Sequence, residues 1–128
     1  MTNEMWTYTS YILGKLCEKA PAKCDNLPFT ELSKFIFDVL WQKEKLIFYD
    51  GDKDLYDDLV YLKNIGIISL REEDEQNFDK IYICVNNKEK LNKIVEIVKN
   101  SGNVTGVKLY DEYIGRIQNA LVGALLVA

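Results

Sequence analysis

The sequence predicts an α+β fold, mostly helical, with a middle of three helices and a β-hairpin followed by two further C-terminal helices. Three observations carry this. Apolar residues recur at helical spacing in five separate segments. A glycine stands where the third segment must turn into a run of β-branched residues. A second run of strand character follows across a polar loop. The 128 residues fit a single domain, with the middle at about 5–86 and the C-terminal helices at about 87–126. A hydrophobic content of 48% is enough for a core without staples.

The first helix, Met5–Lys19, places Met5, Tyr8, Ile12, Leu13 and Leu16 on one face; Pro21 stops it, and Asp25, Asn26 and Pro28 read as a connector. Thr30 is positioned to cap a second helix over 30–45, with Leu32, Phe35, Ile36, Val39 and Leu40 inward. The apolar run 46–49 has the length of a β-arm, and Asp50-Gly51-Asp52 reads as a turn. Asp52 is expected to cap the third helix, 53–64, with Leu55, Leu59 and Leu62 as its stripe, and Gly66 supplies the left-handed residue after it.

Residues 67–71 then form a strand, 72–77 a polar loop and 78–85 a second strand. In the latter Ile81, Ile83 and Val85 alternate with Tyr82 and Cys84, so both faces should be covered. Asn86 and Glu89 have capping-box spacing for a fourth helix with Leu91, Ile94, Val95 and Val98 inward. Ser101-Gly102-Asn103 breaks the chain. Thr105 or Gly106 opens a fifth helix lined by Tyr110, Tyr113, Ile114, Ile117, Leu121 and Leu125.

Composition argues against catalysis. The chain contains no histidine, which removes the commonest general base and metal ligand and every Ser-His or Cys-His pair. Adjacent Asp57 and Asp58 diverge on a helix. The loop 72–75 lacks the ligand alternation of a calcium site, and 102–106 lacks the Gly-Lys-Ser/Thr ending of a phosphate loop. No enzyme activity, metal or cofactor is expected. Three cysteines, Cys17, Cys24 and Cys84, form no C-x-x-C pair, so neither a disulfide framework nor a zinc knuckle is expected; Cys17 and Cys84 read as small buried hydrophobes in a reducing cytosol. Residues 1–5 have no secretory character, and the uncharged run 117–128 is short of the ~20 residues a membrane span needs. A cytoplasmic protein that does not engage membranes is the resulting expectation.

The order helix, helix, helix, strand, loop, strand resembles that of winged-helix proteins. Its most specific part is Leu59-x-x-Leu62-x-x-x-Gly66-Ile67-Ile68, where leucines pack the helix, glycine turns it and isoleucines enter a strand. Phe48-Tyr49-Asp50-Gly51, with Leu55-Tyr56-Asp57-Asp58-Leu59-Val60-Tyr61-Leu62-Lys63-Asn64-Ile65-Gly66-Ile67-Ile68, also resembles the centre of the SocA-like (Panacea) antitoxin domain and of related small prokaryotic proteins. Those families carry a Gly-Pro pair before this helix, whereas Gly51 is followed here by Asp52. The resemblance covers roughly 20 residues, and it implies a protein-binding, regulatory role.

Charge opposes the simplest inference from a winged helix, which is that the third helix reads DNA. The formal charge is −4, and the outward face of the third helix carries Lys53, Asp54, Asp57, Val60, Tyr61 and Asn64. From 71 to 80 five acids face two bases, a net of −3, which repels phosphates. Positive charge gathers at 88–108, five lysines against two acids, although Lys88 and Lys99 point away from Lys90 and Lys93. Acids at a helix start and in a hairpin loop also have purely structural uses.

Two readings follow. In the first, an acidic surface of Asp54, Tyr56, Asp57, Tyr61, Glu72 and Glu73 binds a protein partner, with Tyr56 and Tyr61 as aromatic anchors. In the second, a dimeric regulator contacts duplex DNA through Lys53, Lys63, Lys80, Lys88, Lys93 and Lys99. Ile114, Leu121 and Leu125 on the fifth helix are candidates for a homodimer contact, with an intramolecular core helix as the alternative.

Overall fold

The computed structural model describes residues 5–47, 49–74, 77–100 and 107–123, with the side chains at 5, 7, 97–100 and 107–112 outside that description. The expected positions Phe48, Glu75, Leu125 and the break at 101–106 lie outside the described residues, as do the side chains of Val98, Lys99 and Tyr110.

The chain is α+β and mostly helical. Its elements are α1 (Met5–Lys19), α2 (Pro21–Asp25), β1 (Leu27–Pro28), α3 (Phe29–Lys34) running into a π-helical segment (Phe35–Trp41), α4 (Asp52–Asn64), β2 (Ile68–Glu72), a 3-10 turn (Phe78–Lys80), β3 (Ile81–Val85), α5 (Lys88–Asn100) and α6 (Val107–Gly123). The three strands form one antiparallel sheet in the order β1-β3-β2. Ile68 pairs with Val85 and Glu72 with Ile81, while Leu27 pairs with Ile83 on the other edge of β3.

The core is built from the inward faces that the periodicity marks. Tyr8, Ile12, Leu13 and Leu16 of α1, Leu55, Leu59 and Leu62 of α4, and Ile81, Ile83 and Val85 of β3 are all buried. The end of α4 is a Schellman motif. Gly66 (φ 84°) donates to the Lys63 carbonyl, and Ile67 donates to that of Leu62, so orphan helix carbonyls are satisfied and the chain turns directly into β2. Leu62 and Ile67, the positions where an apolar pair commonly accompanies this motif, are both fully buried.

The C-terminal helices lie against the first. Gly14, mid-α1, lies close against α5: a Cβ built there would stand 2.6 Å from Val95 Cγ2. The fifth predicted helix, α6, packs on α1 and on the π-helical segment, with Ile117 and Leu121 buried.

Several expectations are corrected. The second helix is not a uniform α-helix capped by Thr30. It begins at Phe29 after an extended Pro28, has no side-chain cap, and widens to π geometry from Phe35. It closes at Lys45, a non-glycine residue at φ 61°, and Leu46 donates back to the Leu40 carbonyl. Around the apolar run 46–49, the described residues show no strand. Asp52 is the first residue of α4 rather than its cap, and its carboxylate accepts from Ser33 Oγ at 2.5 Å. The cap of α5 is Asn87, whose Oδ1 accepts from the Lys90 N–H; Asn86 instead accepts from Ser69. Residues 20–28 hold α2 and β1 rather than a bare connector, because Pro21 at a helix start favours a new turn.

The cysteine expectation also fails. Cys17 and Cys24 form a disulfide, with Cα atoms 5.4 Å apart. The chain stops helical winding after Lys19 and folds back through α2, which brings the two thiols together despite a separation that fits no motif. The argument from cysteine usage for a reducing compartment therefore lapses. Cys84 is free and half-buried. Among the described residues no helix is long and apolar enough to cross a membrane.

Candidate functional site

The exposed face of α4 comprises Lys53, Asp54, Asp57, Tyr61, Lys63 and Asn64, with Val60 half-buried beside them. Asp54, Asp57 and Tyr61 recur at intervals of three and four, so they share one stripe. At its far end Tyr61 remains 44% exposed although its ring meets that of Trp6 at 5.2 Å, tilted by 51°. Trp6 is half-buried at the start of α1. Sequence reasoning missed Trp6, because nothing local to position 6 announces a partner 55 residues away. Asp54 and Asp57, the latter paired with Lys53 at 2.7 Å, thus lead into an aromatic pair formed between α4 and α1, a geometry that offers charge for steering and flat apolar area for contact.

Tyr56 does not belong to that exposed stripe. It is half-buried, its ring lies 5.6 Å from Phe78, and its hydroxyl donates to Glu72 at 2.7 Å. Phe78 in turn stacks on buried Phe29 at 4.9 Å. Tyr56 and Glu72 therefore join α4 to the hairpin and are engaged within the chain. Glu73 and Asp74 are exposed, and Glu73 stands 3.9 Å from Arg71.

Behind the stripe runs a buried hydrogen-bond chain. The Tyr49 hydroxyl donates to Asp58 at 2.7 Å and contacts Thr9 Oγ1 at 2.6 Å. With one proton committed to Asp58, the phenol oxygen accepts from Thr9. Burial raises the Tyr49 phenol beyond any ordinary pH, so it stays neutral. Burial also raises Asp58, opposed by the Tyr49 bond and reinforced by the like charges of Asp57 and Asp54. This chain ties α1, residue 49 and α4 together, and it fixes the helix that displays the stripe.

The lysines of the DNA alternative are dispersed. Lys53 is paired with Asp57 at 2.7 Å, Lys88 stands 4.0 Å from Asp25, and Lys93 stands 3.8 Å from Glu89. Lys63 and Lys80 are exposed. Lys90 does not project freely, for its ammonium donates to the Ile65 carbonyl. Each paired ammonium has its field partly cancelled nearby, which weakens phosphate attraction.

On α6, Leu121 is 1% exposed within the chain's own core and Ile114 is half-buried against it, which is the intramolecular alternative for this helix. Among the described side chains of α6, Val122 is a large apolar residue turned outward, at 64%. Arg116 binds the helix to Glu44 at 3.7 Å. Among the described residues no group of three or more acidic, cysteine or histidine side chains is placed to hold a metal ion. No protein-family model, curated protein or solved structure matches the chain.

Proposed function

We propose that the protein is a non-catalytic regulatory module, winged-helix-like in organisation, that binds a basic protein segment on the exposed face of α4. The observation that carries this is the stripe Asp54, Asp57, Tyr61 ending against Trp6. An arginine or lysine of the partner would be attracted by Asp54, and by Asp57 on displacing Lys53 from it, and would cover the Tyr61 ring, where a cation gains both charge and π contact. The hairpin acids Glu73 and Asp74 extend the same sign of field.

A DNA-binding regulator is the second reading. What supports it is the order of α1, α3 and α4 followed by the hairpin strands β2 and β3, which resembles the helix, helix, helix, strand, loop, strand order of winged-helix proteins. That likeness speaks for architecture, whereas function rests on the surface presented.

Fluorescence anisotropy separates the two. The protein is titrated against arginine- and lysine-rich peptides, acidic control peptides and random duplex DNA, at about 50 and 200 mM salt. Basic-peptide binding that Tyr61→Ala abolishes and Asp54→Asn with Asp57→Asn weakens supports the proposal. Tight, steeply salt-dependent binding of duplex DNA, lost on Lys63→Glu with Lys80→Glu, overturns it.

A further inference from the structure

The Cys17–Cys24 bond occupies a place where it can act as more than a staple. It joins the last turns of α1 to α2, and α2 leads directly into β1. The two sulfurs differ in access: Cys24 is buried, whereas Cys17 is half-buried and lines an open groove between α1 and α5. Lys15 and Lys88 line that groove together with Glu18 and Glu96, two charges of each sign, so an incoming thiol meets no net charge barrier. We propose that Cys17 and Cys24 form a reversible thiol–disulfide switch that sets how firmly the α2–β1 segment is fastened to the sheet.

Access dictates the order of events. A low-molecular-weight thiolate of the glutathione class attacks Cys17 Sγ, the S–S bond breaks, and Cys24 leaves as a thiolate that takes up a proton. The Leu13 carbonyl lies 3.7 Å from Cys24 Sγ, within reach of the new S–H, so the buried thiol has an acceptor. A second thiolate attacks the small molecule's sulfur in the mixed disulfide and releases Cys17. Two thiols are thereby oxidised to one small disulfide, and two electrons reduce the protein bond. The reverse exchange, with the small disulfide as oxidant, restores it.

What the bond fastens is slight without it. The strand β1 has only two residues, Leu27 and Pro28, paired with Ile83 and Tyr82. The polar ties of the α2–β1 segment include Lys23 donating to Glu31 at 3.1 Å, part-buried, with Arg71 donating to Asn26 at 3.2 Å and Lys88 near Asp25 at 4.0 Å, both exposed; Leu27 is the one buried apolar side chain of the strand. Ile12, Leu32 and Leu59 are fully buried on α1, α3 and α4, outside the α2–β1 segment. Reduction therefore loosens β1 from the edge of β3 and leaves the remainder folded.

The test uses the whole chain, equilibrated in glutathione buffers from fully oxidised to fully reduced. Alkylation and mass spectrometry read the state of each cysteine, with hydrogen exchange at Leu27 and Ile83 and thermal melts alongside. The expected result is that both forms are populated within the series and that Cys84→Ser behaves as the parent. Reduction should lower Tm by about 9 °C, from loop entropy spread over the unfolding entropy of a chain this size. Exchange should rise at β1 more than in α4, and Cys17→Ser and Cys24→Ser should each abolish the redox response. A bond that persists in every buffer, one that never forms, or a reduced chain that unfolds as a whole would each overturn the proposal.

Discussion

Gly14 is the most informative position for testing how the C-terminal helices are attached. Alanine there gains about 1 kcal/mol of helix propensity in the middle of α1. Against this, the new Cβ would lie 2.6 Å from Val95 Cγ2, with Leu91 Cγ at 4.0 Å behind it. A normal carbon–carbon contact is roughly 3.5–4.0 Å, so α1 and α5 must part by about 1 Å. Valine cannot swing aside cheaply, because its χ1 on a helix is confined to one favoured rotamer. Overpacking of this kind costs about 1–3 kcal/mol. The net expectation for Gly14→Ala is a loss of about 0–2 kcal/mol, or up to about 8 °C in Tm for a chain of this length.

Chemical and thermal denaturation of a double-mutant cycle isolates the contact. Val95→Ala alone should cost about 2 kcal/mol through lost burial. In the Gly14→Ala background it should cost at least about 1 kcal/mol less, since the methyl that clashes has gone. A Gly14→Ala protein more stable than the parent, combined with strict additivity in the double mutant, would refute the close packing of α5 on α1.

Three further outcomes follow from the described contacts. Tyr49→Phe leaves the Thr9 hydroxyl, 1% exposed, without its acceptor and removes a donor from Asp58; urea unfolding should show a loss of about 1–3 kcal/mol. Asp58 has a raised folded-state pKa, so between the ordinary aspartate value and that raised value the folded protein binds more protons than the unfolded chain. Stability contributed by this group therefore falls as pH rises through that window, and Asp58→Asn should flatten the slope in urea melts taken across it. Gly66→Ala, at φ 84° with open space around it, should cost about 1–2 kcal/mol through backbone conformation alone, whereas Lys45→Gly, at φ 61°, should gain up to about 1 kcal/mol in the same calorimetric comparison.

Much of the architecture was legible from local patterns because the forces behind it are local. The leucine stripe of α4, the glycine that ends it and the alternation in β3 each follow from residues within one turn or one strand. Position 66 needed a left-handed residue and glycine stood there; Ile81, Ile83 and Val85 needed one buried face and obtained it. The features that escaped were relational. The disulfide depends on how the chain doubles back between Lys19 and Pro21. The strand β1 exists only because β3 offers it an edge. Helical spacing already turned Phe35, Ile36 and Leu40 inward, but it carries no signal for the π geometry that begins at Phe35.

The same limit governed the surface. Exposure along α4 followed from helical phase, so Lys53, Asp54, Asp57, Tyr61 and Asn64 were correctly turned outward. The roles within that set were not visible. Tyr56 was drawn into the hairpin by Phe78 and Glu72, and Tyr61 acquired an aromatic neighbour from the other end of the chain. Side chains flanking a helical stripe are assigned to core or surface by what packs beside them, and that neighbour comes from long-range topology.

The π-helical segment Phe35–Trp41 bears on which changes in chain length the fold can absorb. Each of its hydrogen-bonded rings encloses one residue more than an α-helical ring. Loss of a single residue there can be taken up by tightening to α geometry, with the bulky side chains on either side kept near their present directions. Loss of a residue within α4 has no such reserve, because it rotates Leu59 and Leu62 by about 100° and turns the leucine face away from the core. Between two neighbouring helices of one small domain, a deletion would be accommodated in the first and disruptive in the second.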